Sequence, residues 1–117
     1  MSASDTRVLL EQTIRRFGED VPALKPLKLV MRVQLQARGA APIWRVDLPG
    51  PKVSQASAGD ARLDVTMQRA FFNEMAKDAR LEDWAEAYED GHVKVTGDSA
   101  VIKLIGNVID RQRARTH

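Results

Sequence analysis

Gly91-His92-Val93-Lys94-Val95-Thr96-Gly97-Asp98 leads through Ser99 into the apolar run Ala100-Val101-Ile102-Lys103-Leu104-Ile105. Val93 and Val95 alternate with Lys94 and Thr96, the period of a half-buried strand. Gly97 ends that strand in a turn where any backbone angle is accessible. Asp98 is then a good N-cap, because its carboxylate can accept from the free N–H groups of a first helical turn and its charge suits the positive helix end. Val101, Leu104, Ile105 and Val108 continue as one helical stripe, widened by Ile102 and Ile109 beyond a coiled-coil seam. The stretch predicts a closing strand that turns sharply into a buried helix.

Working upstream, Ser4 or Asp5 is placed to cap a first helix whose Leu10, Ile14, Phe17 and Val21 share a face, and Pro22 and Pro26 end it. From Leu27, alternation of Leu27, Leu29, Met31, Val33 and Leu35 with Lys28, Val30, Arg32, Gln34 and Gln36 predicts a strand. Arg38-Gly39-Ala40-Ala41-Pro42 reads as a turn into a second strand, with Trp44, Val46 and Leu48 on one face and Arg45 and Asp47 on the other. Pro49-Gly50-Pro51 breaks it, and a short third strand falls around Lys52 to Gln55. After turn material at Ala58-Gly59-Asp60-Ala61, the residues Leu63, Val65 and Met67 form the inward side of a fourth strand. Helices follow over Arg69 to Asp78 and Leu81 to Asp90. Strands in a run with helices gathered at both ends predict an α+β fold, a five-stranded mostly antiparallel sheet with helices packed on one face.

At 117 residues, residues 1–117 form one expected domain, long enough for a core without disulfide or metal help. No cysteine is present, which removes thiol nucleophiles, disulfides and thiolate metal sites together and fits a cytoplasmic location. The start, Met1-Ser2-Ala3-Ser4-Asp5, lacks the basic and apolar segments of a secretory signal, and no apolar run reaches membrane-spanning length. A net charge of +2 is too small to mark a nucleic-acid-binding domain.

Four pieces in order, Trp44-Arg45-Val46-Asp47-Leu48, Asp64-Val65-Thr66-Met67, Phe71-Phe72, and Gly91 through Asp98, resemble the type-two sterol carrier protein family. The resemblance runs from the first helix to the last. It implies a hydrophobic tunnel under the helices for fatty acids, acyl-CoA esters or sterols, with no cofactor. The expected lining is Trp44, Val46, Met67, Phe71, Phe72, Met75, Trp84, Tyr88, Ile102 and Ile105. Flexible thioethers at Met67 and Met75 suit a tolerant pocket. Each of these residues also has a reading as plain core, since an aromatic at strand or helix spacing packs inside more often than it lines a pocket. Phe71 and Phe72 are adjacent and point about 100° apart on a helix, so at most one is central. The chain departs from the family at Gln68-Arg69-Ala70, where a Ser cap and acidic residues are usual. Arg69, unfavourable at a helix start, is expected to reach an acidic neighbour such as Asp64, or else a ligand carboxylate or phosphate.

Catalytic machinery is thin. His92 lies near Glu82, Glu86 and Glu89, but no paired-histidine spacing supports a metal. Gly97-Asp98 has no Gly-rich loop, and its carboxylate would repel a phosphate. No Gly-x-Ser-x-Gly elbow occurs. The tail from Asp110 to His117 is basic but has no interleaved aromatics, which argues against nucleic acid and for a helix end suited to its dipole. The expected function is a non-enzymatic intracellular lipid-binding or lipid-transfer protein. Its partners would be an apolar ligand, a transient membrane surface and a protein partner. The competing reading is a protein-interaction module with the cavity packed shut; a weaker third is an accessory domain for acyl chains held elsewhere. A pocket of ~300 Å³, left empty, would cost about 7 kcal/mol of a typical stability of about 5–15 kcal/mol, so an open pocket must be filled, wet or partly collapsed.

Overall fold

The inward alternation of four strand segments builds one sheet with a single apolar face. The computed structural model describes residues 3–39 and 42–115. Its elements are α1 (Ala3–Asp20), a 3-10 turn at Pro22–Leu24, β1 (Leu29–Gln36), β2 (Ile43–Leu48), β3 (Lys52–Ser54), β4 (Leu63–Gln68), α2 (Arg69–Asp78), α3 (Leu81–Glu89), β5 (Val93–Gly97) and α4 (Ser99–Arg115). The first helix starts before Asp5, which falls in its first turn rather than capping it. The Ser4 side chain, Ala40 and Ala41 of the expected turn, and Thr116 and His117 of the basic tail lie outside what is described.

Strand order is β3-β2-β1-β4-β5. The β1/β2, β2/β3 and β4/β5 pairs are antiparallel, whereas β1 and β4 run parallel at the centre. Residues 55–62 carry the chain from the β3 edge to the far side of β1. Register places Val33 opposite Trp44 and Val65, Met31 opposite Val46 and Leu63, and Met67 opposite Leu35 and Val93. All of these point to the helical side, as the period of two requires. The opposite face carries Arg32 paired with Asp64, and Arg45 bound to Asp47 and Asp60.

Under the helices the packed core joins Leu10, Val33, Leu35, Trp44, Val46, Val53, Met67 and Phe72. Phe72 is 1% exposed. Phe71, turned aside as the helical angle demands, stacks on the His92 ring with centroids 4.9 Å apart.

The turn into α4 forms as its residues dictate. Gly97 has φ +124°, and a Cβ there would lie 2.4 Å from the Arg62 carbonyl oxygen, so only glycine fits. Asp98 Oδ1 accepts from Ala100 N at 2.9 Å and Val101 N at 3.3 Å, while Oδ2 accepts from Arg62 Nη2 at 2.7 Å. The expectation that α4 is buried is corrected. Val101 packs with Leu29 and Leu63 and is the helix's one buried residue among those described; Leu104 is 52% exposed. The stripe divides because residues 102, 105 and 109 border a cavity, Ile102 and Ile105 packing only in part against the Leu29, Leu63 and Val101 cluster, while residue 104 is not among the cavity's lining.

Candidate functional site

A cavity of about 1070 Å³ lies between the inner sheet face and the helices. Its floor is Met31, Val33, Val65, Met67, Val93 and Val95, the alternate residues of β1, β4 and β5. One wall is the α1 face of Leu10, Ile14 and Phe17; the second is Leu81, Trp84 and Tyr88 of α3; the third is Ile102, Ile105 and Ile109 of α4. Each wall repeats at helical spacing, so three amphipathic helices present their apolar stripes to the cavity and their charges to water.

Six of the ten expected lining residues, Met67, Phe72, Trp84, Tyr88, Ile102 and Ile105, border this space. The other four do not. Trp44 and Val46 are on β2, toward the side where α1 packs on β3, and are sealed into the core at 3% and 0% exposure. Met75 packs against the same core cluster, and Phe71 is occupied by His92. Sequence reasoning missed the α1 wall and the Met31, Val65 and Val95 floor. Their signal was present, since the α1 stripe and the strand alternation had been identified, but neither says which core-facing residues meet a void.

Polar groups collect at the edge of the cavity. Arg15 of α1 and Lys25 after the 3-10 turn border it with exposed side chains and make no ion pair with another described residue. The Thr13 hydroxyl, also at the cavity, is buried without a hydrogen-bond partner among the described residues. Arg113 of α4, which also borders the cavity, reaches across to α3. Its Nε and Nη2 donate to the two carboxylate oxygens of Glu82 at 2.9 and 3.2 Å, and Nη1 donates to Glu89 Oε1 at 3.3 Å. The Glu82 hydrogen bonds, then those of Glu89, hold the guanidinium above its ordinary pKa. Beside Glu82, at the start of α3, Asp20 accepts from Arg80 Nε and Nη2 at 3.0 and 2.6 Å and from Leu81 N at 3.3 Å, tying α1 to that helix. Those Arg80 contacts hold the Asp20 carboxyl below its usual range against the opposing effect of burial.

A second, polar cavity of about 540 Å³ lies where β1 and β4 end and α2 begins, bordered by Gln36, Arg38, Gln68, Arg69 and Asn73. Arg69 does not reach Asp64, which is taken by Arg32; it donates to Thr6 Oγ1 at 3.1 Å and so braces α2 against α1. Among the described residues no group of three or more His, Cys, Asp or Glu is placed to hold a metal.

No family model and no curated protein matches the chain. Solved structures do match. Palmitated SCP2L2 of Aedes aegypti superposes with TM-score 0.57 at 20% identity, over 86% of this chain and 93% of that one. The Aedes aegypti sterol carrier protein 2 in complex with palmitate gives TM-score 0.54 at 21% identity, over 93% and 96%. The chain has the sterol carrier protein 2 fold. A ubiquinone synthesis protein, UbiJ-SCP2, shares that sterol carrier protein 2 fold with TM-score 0.55 at 20% identity, over 93% of each chain. Within this fold the parallel β1/β4 pair makes the sheet mixed, and the helices lie on one face as the strand alternation required. No described helix is long and apolar enough to cross a membrane.

Proposed function

We propose that the chain is a single-domain lipid carrier that shields an apolar ligand between sheet and helices, without covalent chemistry, and exchanges it at membrane surfaces in the cytoplasm. The observation that carries this reading is the cavity itself. Its 1070 Å³, if dry and empty, would cost about 26 kcal/mol at ~24 cal/mol per Å³, beyond the roughly 5–15 kcal/mol that stabilises a domain. A space of that size and lining is held open by an occupant or by water, and an apolar occupant gains ~25 cal/mol per Å² taken out of water. Arg15, Lys25 and the Thr13 hydroxyl supply the few polar groups that orient a ligand whose remainder is apolar. The palmitate held by a protein of the same fold supports a fatty-acid-like ligand.

Native mass spectrometry of freshly purified protein, with lipid extraction and melting before and after delipidation, tests the reading. A stoichiometric lipid whose removal lowers the melting temperature supports it. A ligand at about 100 times its Kd adds ~2.7 kcal/mol, on the order of 10 °C in a domain this small. A clean apoprotein unmoved by fatty acids, acyl-CoA and sterols overturns it. The two tryptophans give the location: a brominated fatty acid in the cavity quenches Trp84 and leaves the sealed Trp44 bright. Quenching therefore survives Trp44→Phe and is lost in Trp84→Phe.

A further inference from the structure

The two ends of α4 are held differently. At its start Gly97 is pressed against the Arg62 backbone, Asp98 caps the first turn and binds Arg62, and Val101 is buried with Leu29 and Leu63. Past Val101 no described residue of α4 is buried. Its inner side, Ile102, Ile105 and Ile109, borders the cavity; Ile102 and Ile105 also pack against the Leu29, Leu63 and Val101 cluster, yet all three stay only half-buried. Gly106 sits mid-helix with nothing within 4 Å of a would-be Cβ, so it contributes neither packing nor helix propensity. Arg113 fastens the far end to α3, gripping Glu82 with two parallel hydrogen bonds and Glu89 with a third, across the gap between α4 and α3.

We infer that α4 is a strap over the cavity, hinged at Gly97-Asp98 and fastened by the Arg113–Glu82/Glu89 clasp, and that ligand exchange requires the clasp to open. The inference rests on the carrier reading for its function, while the strap and clasp stand on geometry alone. Isolated surface ion pairs do little, but a bidentate arginine shared between two carboxylates is the arrangement in which they count. The Arg113 side chain is 27% exposed and its partners are 41% and 61% exposed, so salt reaches the clasp. Opening uncovers the third wall of the cavity without disturbing the sheet or the α1 and α3 walls.

Two variants loosen the clasp from opposite sides, Arg113→Gln and the double change Glu82→Gln with Glu89→Gln. Amide hydrogen exchange read along the chain is the first measurement. Both variants speed exchange over the second half of α4 by roughly three- to ten-fold while α2 keeps wild-type protection, which also certifies that they fold. Stopped-flow release of a fluorescent 16-carbon fatty acid is the second measurement. Release from the wild type accelerates with added sodium chloride; release from both variants is already fast and loses that dependence. Unchanged amide exchange in α4 overturns the clasp, and so does faster α4 exchange with unaltered fatty-acid release. Should the wild type bind no fatty acid, the carrier reading falls separately, and amide exchange alone then decides whether the clasp closes the strap.

Discussion

A methyl group on Gly97 would meet the Arg62 carbonyl oxygen at 2.4 Å in a backbone conformation that side chains rarely adopt. Gly97→Ala is therefore expected to destabilise by about 2–4 kcal/mol, strain and overpacking combined, read by denaturant unfolding at unchanged slope. The neighbouring Asp98 bonds two first-turn N–H groups and Arg62, and those contacts, Arg62 first, lower its pKa. Asp98→Ala should lower the melting temperature by about a few degrees, whereas Asp98→Asn, which keeps an acceptor, should lower it less. Both roles were legible because φ and capping are local properties of a few residues. The bond from Arg69 to Thr6 was not, because Thr6 lies on a helix more than sixty residues earlier in the chain.

The boundaries of α2 and α3 follow their sequence signals closely, since each has an apolar stripe and an extended residue at its start. The burial of α4 did not follow. A stripe of Ile and Val states which side is apolar and leaves open whether that side meets other side chains or an empty volume. Gly106→Ala, at an exposed mid-helix site with open space around it, should stabilise α4 by about 1 kcal/mol, measured as raised amide protection within that helix. The tether from α1 to α3 has a pH signature. Because the folded pKa of Asp20 is below its ordinary 3.8, the carboxylate stabilises the fold above that pH, and the contribution is lost as pH falls through the lower folded value. Wild type should thus melt above Asp20→Asn at neutral pH, and the gap should narrow below about pH 4; melting curves across the acid range would show it, and a constant gap would contradict the tether.

Across the whole molecule, the strand alternation sorted the inner-face residues of β1, β2, β4 and β5 to the correct side of the sheet, and gave no side for Val53 of β3. It could not separate the part of that face that is packed, around Trp44 and Val46, from the part that is hollow, around Val65 and Val95. The division depends on where α1, α3 and α4 stand relative to one another, which no short stretch of sequence encodes. Filling the floor tests the hollow directly: Val65→Trp should abolish fatty-acid binding and leave the apoprotein folded, as read by binding isotherms beside circular dichroism. The central parallel pair also bears on how the chain assembles. β1 to β3 can zip from their local turns, and β4 meets β5 only after two intervening helices, so the two groups of strands join through β1 and β4, where Met31 finds Leu63 across β2, β3 and the loop of residues 55–62. Closing that span spends entropy before its contacts reward it, which makes the seam the expected bottleneck in time. Weakening it should slow folding, whereas weakening the β5 edge should chiefly hasten unfolding.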